Sequence, residues 1–447
     1  MFEVPEWAAN KVVYQIFPSR FAATEPVDKE LWYKAPITPM DDLHGNLRGI
    51  IEHMDDIQNL GIDVLYMTPI FQSNSCHKYD TTDYYQIDPS FGTTEDLKEL
   101  VQKAHERGMK VVLDAVYNHT GREFFAFADI LENGEKSKYR DWYFIDGFPL
   151  KSEWGEIPNF KCFGYYGGMP KLNLKNPEVE KYITDVACYW IKECDIDGWR
   201  LDVGDEISHF FWKNFRKAVK AVKKDMLIIG EIWHYAGDFL EGDEWDTVMN
   251  YPFYLNLIDL LADEKITVSQ FVQNLGYLKG RLHKNCYPLM WNLIDSHDTA
   301  RFLHLCNDNK KKQHLAAAFQ LLLPGMPMIY YGDEYAMPGA NDPDCRRGMY
   351  WDEEYQDKEM YEWYKRLIQV RKSHACIVEG ELAGSVTEDE EGTIVLIRKN
   401  GEETIAMIFN CSSSAKKFNE YTQKYNLLTE NTFDGNVEGV DAAVIVL

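Results

Sequence analysis

Membrane anchors and export signals are both missing from this sequence. It has no apolar run approaching the roughly 20 residues that a membrane-spanning helix needs. Its first residues, Met-Phe-Glu-Val-Pro-Glu-Trp, lack the basic and apolar segments of a secretory signal. The nine cysteines are an odd number and have no metal-ligand spacing, which fits reduced thiols in a cytosolic protein. We therefore predict a cytoplasmic protein without a membrane partner; prior removal of a signal stays open.

The sequence also contains few basic residues relative to acidic ones. Lys and Arg number 47 against 72 Asp and Glu, for a formal net charge of -25. Such a chain repels a nucleic-acid backbone and an anionic membrane surface, but it does not repel neutral sugars. We therefore predict no nucleic-acid partner. Aromatic residues make up 14% of the chain. They serve core packing, stacking on the apolar face of a ligand, or both.

What the sequence does contain is a regular alternation of strand and helix patterns. The helical pattern is clearest at 47–60, 94–107, 311–323 and 361–371. The strand patterns lie at 12–17, 64–68, 110–116, near 199, 227–230, 247–250, 289–294 and 328–331. Eight β-α units predict an α/β protein built on a closed (β/α)8 TIM barrel.

Two segments depart from this alternation. Residues 118–174 are rich in aromatics, Gly and Pro without helical period, and form an excursion after the third strand. From about residue 376 the pattern becomes that of short antiparallel strands with polar turns. The predicted domains are a barrel of residues 1–117 and 175–375, an inserted domain of 118–174, and a C-terminal β domain of 376–447.

The stretch Gly-Trp-Arg-Leu-Asp, 198–202, lies at the end of the fourth strand. Residues two apart in a strand point the same way, so Arg200 and Asp202 are expected side by side. An arginine beside a carboxylate favours its ionised form, which suits a nucleophile. A lone Arg-x-Asp is more often a surface ion pair. Whether this pair belongs to an active site therefore depends on the residues at the other strand ends.

Polar residues recur where the predicted strands end. All are expected on the C-terminal face of the barrel, where barrel enzymes keep their active sites. They are Asp114, Asn118, His119, Arg200, Asp202, Glu231, Trp233, His234, His297, Asp298, Asp333 and Glu334. So many charges at one rim do not help a fold, and they indicate an active site.

Three carboxylates on different strands, with two histidines, indicate glycoside chemistry. One carboxylate attacks the anomeric carbon, and a second protonates the leaving oxygen and then activates water. A divalent-metal hydrolase is the competing chemistry, but the close histidine spacing typical of it is not in the sequence.

Four motifs in order now resemble the α-amylase family of glycoside hydrolases, family 13. They are Asp-Ala-Val-Tyr-Asn-His (114–119), Gly-Trp-Arg-Leu-Asp (198–202), Gly-Glu-Ile-Trp-His (230–234) and Ser-His-Asp-Thr (296–299). The resemblance implies domain B at 118–174 and domain C at the C-terminus. It also implies a retaining mechanism, whose two carboxyl groups lie about 5–5.5 Å apart.

The resemblance implies a role for each matching residue. Asp202 is the nucleophile, Glu231 the acid/base and Asp298 the third carboxylate, and Arg200 orients Asp202. The substrate-binding residues it implies are Tyr79 beneath the sugar, His119 and His297 on its hydroxyls, Asp114 supporting the arginine and histidines, and Arg346 at the next subsite.

Finer motifs resemble the neopullulanase, cyclomaltodextrinase and maltogenic amylase group. They are Met-Pro-Lys-Leu-Asn (169–173) and Val-Gly-Asp-Glu (203–206), which implies Glu206 on the leaving-group side. Members of that group usually carry an N-terminal β domain, whereas here the first strand pattern begins by residue 12. We therefore expect a monomer or weak homodimer that prefers linear chains to cyclodextrins. The domain B aromatics Trp142, Trp154, Phe163, Tyr165 and Tyr166 either stack on sugars or pack.

Metal binding is expected to differ from that of typical α-amylases, which hold calcium with Asn, Asp and His. Asn118 is present, but we expect Asn173 and Glu206 at the positions of the other two ligands. The prediction is no cofactor and no required metal, with calcium binding left open.

The predicted function is hydrolysis of α-1,4 bonds in maltooligosaccharides and related glucans such as starch, pullulan and cyclodextrins. Alternatives are an α-glucan transglycosylase or a general α-amylase. A further alternative is an inactive sugar-binding or scaffold relative, like the ectodomains of amino-acid transporter heavy chains. Such relatives lose catalytic carboxylates and carry a membrane span, whereas this sequence keeps all three carboxylates.

Overall fold

The computed structural model describes residues 3–151 and 157–447 and contains a sheet of eight parallel strands. The strands, labelled in chain order, are β1 Val13–Ile16, β2 Val64–Met67, β3 Lys110–Ala115, β4 Gly198–Leu201, β5 Leu227–Gly230, β6 Thr247–Val248, β7 Trp291–Asn292 and β8 Met326–Tyr330. Their order in the sheet is β6-β5-β4-β3-β2-β1-β8-β7. A parallel bridge between Met249 and Trp291 joins the two edges, so the sheet closes into the predicted TIM barrel.

Helices surround the barrel. The longer ones are Leu47–Glu52, Met54–Leu60, Thr94–Glu106, Pro177–Cys194, His209–Val222, Tyr251–Leu257, Val268–Arg281, Lys310–Leu322 and Lys358–Ser373. The single helix predicted over 47–60 is two helices that meet at His53, whose ring stacks on Trp351 at a centroid distance of 3.6 Å. The second of them ends at Gly61, which takes the left-handed conformation common at helix ends.

The barrel interior is packed with apolar side chains. Val13, Val64, Val112, Ile229 and Met328 belong to one fully buried cluster inside the strands. A parallel sheet covered by helices is buried on both faces, which explains why these strands read as continuous apolar runs. Charged groups therefore concentrate at the strand ends, where water and substrate have access.

Two insertions rise from the carboxyl ends of the strands. After β2, strands Phe71–Ser73 and Thr81–Ile87 pair antiparallel and carry Tyr79 in the turn between them. After β3, the excursion contains helix Phe125–Asn133 and returns beside its own start through the bridge between His119 and Lys171. Both insertions border the same end of the barrel.

The C-terminal part forms a separate antiparallel layer. Its six-stranded sheet runs in the order Glu381–Glu388, Thr393–Asn400, Glu403–Asn410, Asp441–Val446, Tyr425–Asn426 and Asn431–Thr432. Lys416–Lys417 pairs with Asn436–Val437. Phe409 of this sheet stacks on Phe319 of a barrel helix at 4.2 Å, so apolar packing attaches the layer to the barrel.

The structure confirms the predicted fold class, with each predicted barrel strand overlapping an observed one. Among the helices of the described ranges, none combines the length and the apolarity that crossing a bilayer requires.

Candidate active site

One buried arginine organises the carboxyl end of the barrel. The parallel register pairs Asp114 of β3 with Arg200 of β4. Arg200 Nη1 donates to both oxygens of Asp114 at 3.1 Å and to Asp202 Oδ1 at 2.9 Å. Arg200 Nη2 lies 3.0 Å from Glu231 Oε2 and 3.9 Å from Asp298 Oδ2. A single guanidinium thus holds four carboxylates, from β3, β4, β5 and β7, in one cluster.

Asp202 follows β4 directly, and its backbone N–H donates to the carbonyl of Ala115. Its contact with Arg200 is the one predicted from the Arg-x-Asp spacing. Burial nevertheless raises the pKa of the Asp202 carboxyl well above its ordinary value, against the opposing effect of Arg200, and neighbouring Glu231 raises it further. Arg200 thus favours the ionised form of Asp202, as expected from the sequence, but desolvation acts in the opposite direction and has the larger effect.

Glu231 follows β5 and has its two oxygens bound differently. Oε2 accepts the backbone N–H of Val203 at 2.9 Å, and Oε1 accepts Trp233 Nε1 at 3.1 Å. Val203 has φ of +46°, a left-handed conformation that costs free energy for a β-branched residue. The strained turn directs its N–H at Glu231, which fits a functional constraint on this loop.

Asp114 is fully buried and binds the residues of the cluster from the side of the barrel interior. Besides Arg200, it accepts hydrogen bonds from Tyr66 Oη at 2.6 Å and Tyr79 Oη at 3.1 Å. Burial raises the pKa of Asp114 to about 6, although Arg200 and the Tyr66 hydrogen bond oppose the rise. The resemblance implied that Asp114 supports the arginine and the histidines. Asp114 contacts Arg200 directly, and it reaches His297 through Tyr79, whose hydroxyl lies against His297 Nε2.

Tyr79 and two histidines line the same end. Tyr79 Oη lies 2.5 Å from His297 Nε2, and the two rings are parallel to within 5°. Gln15 Nε2 lies 2.7 Å from His297 Nδ1. Burial lowers the pKa of His119 to about 4 and that of His297 well below its ordinary value. Both imidazoles are neutral at pH 7 and suit hydrogen bonding to uncharged hydroxyls.

Asp298 is the most open of the three predicted catalytic carboxylates, with 29% of its side chain exposed. Its Oδ1 lies 3.2 Å from His297 Nε2 and 3.5 Å from Arg346 Nη2. Arg346 is itself fixed by Asp342 at 2.8 Å and by the carbonyl of His297. The structure thus brings Asp298 and Arg346 to the rim beside the inner cluster.

The junction of the excursion with the barrel is held by a lysine. Lys171 Nζ donates to Asn118 Oδ1 at 2.6 Å, to Glu206 Oε2 at 2.7 Å and to the Glu206 carbonyl at 3.1 Å. Asn173, which the resemblance places at the position of a calcium ligand of typical α-amylases, makes a different contact. Its side-chain amide donates to the carbonyl of Asp141 at 3.0 Å, and Lys171, two residues earlier in the same motif, lies at the junction.

A positive charge from the protein itself lies at this junction. The Lys171 ammonium already lies within hydrogen-bonding distance of the oxygens of Asn118 and Glu206 that a metal would need. Throughout residues 3–151 and 157–447, no three His, Cys, Asp or Glu side chains are grouped so as to hold a metal ion.

Three of the strand-end residues lie outside the cluster. Asp333 pairs with Arg301 at 3.0 Å, and Glu334 accepts the hydroxyl of Tyr14 at 2.6 Å. Burial raises the pKa of Glu334 to about 7. His234 lies 3.3 Å from Asp205. Asp333 and Glu334 therefore support the barrel end from within, because they follow β8 into a buried turn.

The domain B aromatics divide between packing and exposure. Trp142 is buried and donates to Glu178, and Phe163 stacks on His119 at 5.2 Å. Tyr165 and Tyr166 are exposed, and Trp154 lies outside the described residues. Phe163 thus contacts a residue of the predicted site.

Several functional contacts were missed in the sequence. Gln15 and Tyr66 lie inside apolar strands, where no local pattern marks them. Val203 lies inside a motif quoted above, but the sequence did not indicate that its backbone N–H binds Glu231. The positions of two other residues did indicate a role in the site. Trp233 lies two residues after Glu231, and Lys171 lies inside the Met-Pro-Lys-Leu-Asn motif. Their partners became visible only when the chain was folded.

A (β/α)8 barrel whose strand ends bring several carboxylates around one buried arginine has an arrangement that suits a glycoside hydrolase. Residues 15–380 match the family described as "Alpha amylase, catalytic domain". The chain belongs to the α-amylase family.

Similar proteins agree with this assignment. The chain is 46% identical over 419 residues to a cyclomaltodextrinase of Geobacillus thermopakistaniensis, covering 93% of this chain and 71% of the relative. It is 43% identical to neopullulanase 2 of Thermoactinomyces vulgaris, covering 92% of this chain and 71% of the relative. A solved cyclic α-maltosyl-(1→6)-maltose hydrolase from Arthrobacter globiformis superposes with a TM-score of 0.91, at 36% identity over 99% of this chain and 100% of its own.

Proposed function

We propose that this chain hydrolyses α-1,4-glucosidic bonds of maltooligosaccharides with retention of configuration. The observation that carries the proposal is the position of Asp202 and Glu231 on the two amino nitrogens of one guanidinium, at 2.9 and 3.0 Å. Membership of the α-amylase family and relatives named for maltodextrin and pullulan cleavage support the substrate class.

In the first step, Asp202 attacks the anomeric carbon and forms a glycosyl ester. The C–O bond to the leaving sugar breaks, and Glu231 gives its proton to the departing oxygen. The hydrogen bonds from Val203 and Trp233 fix the Glu231 carboxyl. Asp298 and the neutral imidazole of His297 are placed to hold sugar hydroxyls.

In the second step, water replaces the ester. Glu231, now a carboxylate, takes a proton from water as the water oxygen attacks the anomeric carbon. The ester bond to Asp202 breaks, and both carboxyl groups return to their starting states. Two displacements at one carbon leave the product in the α configuration.

A substrate panel tests the proposed function. Purified protein is incubated with maltotriose, β-cyclodextrin, pullulan and soluble starch, and the products are followed over time. We expect cleavage of maltotriose with a higher kcat/KM than for β-cyclodextrin, because a linear chain can use the contacts of Tyr79, His297 and Arg346 in full. The absence of turnover on all four glucans would contradict the proposed function, and a preference for the ring would contradict the linear specificity.

We also propose that no metal is required. The Lys171 ammonium supplies the positive charge at the junction, so a chelator is expected to leave activity and melting temperature unchanged. Lys171→Ala removes three hydrogen bonds and leaves Glu206 without its cation, at a cost of about 1–3 kcal/mol. For a chain of 447 residues, this corresponds to a melting temperature lower by about 1–3 °C.

The matched control for the lysine variant is Lys175→Ala, which removes an exposed ammonium four residues away. It should melt like the wild type in a thermal scan. Inactivation of the wild type by EDTA with recovery in calcium would refute the proposal, as would equal melting temperatures for the two lysine variants.

Cytoplasmic localisation and a monomeric or weakly dimeric state remain proposals. All nine cysteines lie in the described ranges and are free thiols, as in a reducing compartment. A relative that is 42% identical is an intracellular maltogenic amylase of Bacillus subtilis. Light scattering across a range of protein concentrations measures the oligomeric state.

A further inference from the structure

A groove of about 420 Å³ lies beside the catalytic cluster, and apart from Trp233 its lining residues have no role in the proposed mechanism. It lies between the loop after β5 and helices Tyr251–Leu257 and Val268–Arg281. The residues that carry the argument are Trp233, Tyr235, Leu255, Asn274, Tyr277 and Arg281. Its volume falls in the range of small-ligand pockets, which is about 300–1,000 Å³.

The groove exposes apolar surface that the fold does not need to expose. Trp233 is 42% exposed, Leu255 46% and Tyr277 66%. Contiguous exposed apolar side chains bordered by polar ones are typical of binding surfaces. Asn274, whose amide donates to Asn256 Oδ1, adds polar groups to the wall. Aromatic faces beside amide groups suit a ring with an apolar face and hydroxyls around its edge.

The walls of the groove are held in place by stacking. Arg281 lies between two tyrosine rings, with its guanidinium carbon 3.8 Å from the centroid of Tyr235 and 5.0 Å from that of Tyr277. Arg281 Nη1 also donates to Tyr277 Oη, and Tyr235 Oη donates to the Arg281 carbonyl. These contacts connect the loop after β5 to the end of helix Val268–Arg281, so the surface is formed before a ligand arrives.

Trp233 connects the groove to the reaction centre. Its indole stacks on buried Tyr251 at 3.9 Å, and its Nε1 donates to Glu231 Oε1. The other oxygen of Glu231 is occupied by Val203 and Arg200. A leaving sugar receives its proton from Glu231, so a wall that begins at Trp233 lies on the leaving-group side of the cleaved bond.

We propose that this groove binds the leaving-group portion of a linear α-glucan beyond the inner sugars, with Tyr277 as a platform on which a glucose ring stacks. The proposal rests on the proposed function for the direction of the chain. Trp233, which lines the groove, donates a hydrogen bond to Glu231, and the aromatic and amide lining of the groove fits a neutral sugar. A strongly acidic protein also favours a neutral ligand over an anionic one.

Binding to a variant that does not turn over tests the proposal without relying on catalysis. Asp202→Asn and the double variant Asp202→Asn/Tyr277→Ala are titrated calorimetrically with maltotriose and maltoheptaose. We expect Tyr277→Ala to weaken maltoheptaose binding about five- to tenfold and to leave maltotriose within about twofold, because a short chain does not reach the groove. Tyr277→Phe, which keeps the ring, should retain wild-type binding.

The control is Tyr425→Ala, which removes an exposed tyrosine of the C-terminal sheet and should change neither affinity. In the active enzyme, Tyr277→Ala should lower kcat/KM for maltoheptaose relative to maltotriose by the same factor.

Equal affinities for maltoheptaose with and without Tyr277 would overturn the proposal. A Tyr277→Ala change in oligomeric state by light scattering, with sugar affinity unchanged, would overturn it too and identify the groove as a contact between copies of the chain. A wild type that binds maltoheptaose through Tyr277 but turns nothing over would contradict the proposed function alone.

Discussion

Asp202→Asn is expected to reduce kcat on maltotriose by about four to six orders of magnitude. The amide keeps the shape of the carboxyl and its contact with Arg200 Nη1, but it cannot form the glycosyl ester. Maltotriose affinity should change little, since the sugar contacts of Tyr79, His297 and Arg346 remain. Initial rates and calorimetric titration of the same preparation measure both.

The fold should tolerate this change. Four carboxylates surround one guanidinium, and burial together with Glu231, Asp114 and Asp298 raises the pKa of Asp202. Removing one negative charge relieves repulsion, so the melting temperature should equal or exceed that of the wild type. Asp238→Asn, an exposed carboxylate after β5, serves as the control with wild-type activity. More than a few percent residual activity in Asp202→Asn would show that another group attacks the sugar.

Glu231→Gln should lower kcat on maltotriose by about two to four orders of magnitude, because natural leaving groups need a proton. With α-maltosyl fluoride, the rate of the first step should be largely unchanged in this variant, since fluoride departs without protonation. Its glycosyl ester should then accumulate, because no base activates water in the second step. The measurement is the release of fluoride against the release of maltose over time.

A burst of fluoride followed by slow maltose release is the expected pattern for Glu231→Gln. A uniform loss on both substrates would mean that Glu231 only positions its neighbours. The contacts with Val203 and Trp233 are retained by the amide in part, which keeps the comparison focused on the proton.

The barrel and its inner cluster followed from the sequence for physical reasons. Parallel strands that are buried on both faces read as apolar runs, and their ends must carry the polar groups. That rule placed Asp114, Arg200, Asp202, Glu231 and Asp298 on one rim, and the structure brings all five together.

The residues that the sequence did not reveal depend on long-range packing. Tyr66 and Gln15 lie in strands that read as core, and their hydroxyl and amide reach the site only because the barrel closes. Lys171 points into the junction because a bridge pairs it with His119 across the excursion. Asp333 and Glu334 also follow the carboxyl end of a strand, but a tight turn after β8 buries both side chains.

The pKa values of the clustered carboxyl groups also depend on how deeply the groups are buried, which sequence spacing does not reveal. The Arg-x-Asp pattern predicted an ionised carboxylate, whereas burial works against ionisation at both Asp114 and Asp202. One arginine shared among four carboxylates is a costly arrangement for stability, and it concentrates charge where a positively charged transition state forms. Function, rather than folding, accounts for it.

The most direct test of the account is to locate the sugar on the trapped enzyme. Glu231→Gln treated with α-maltosyl fluoride is quenched in acid, weighed intact by mass spectrometry, digested and sequenced. The account predicts an added mass of one maltosyl group, carried as an ester by Asp202. A covalent sugar on any other carboxylate, or turnover of the fluoride with release of the β-anomer and no adduct, would contradict it.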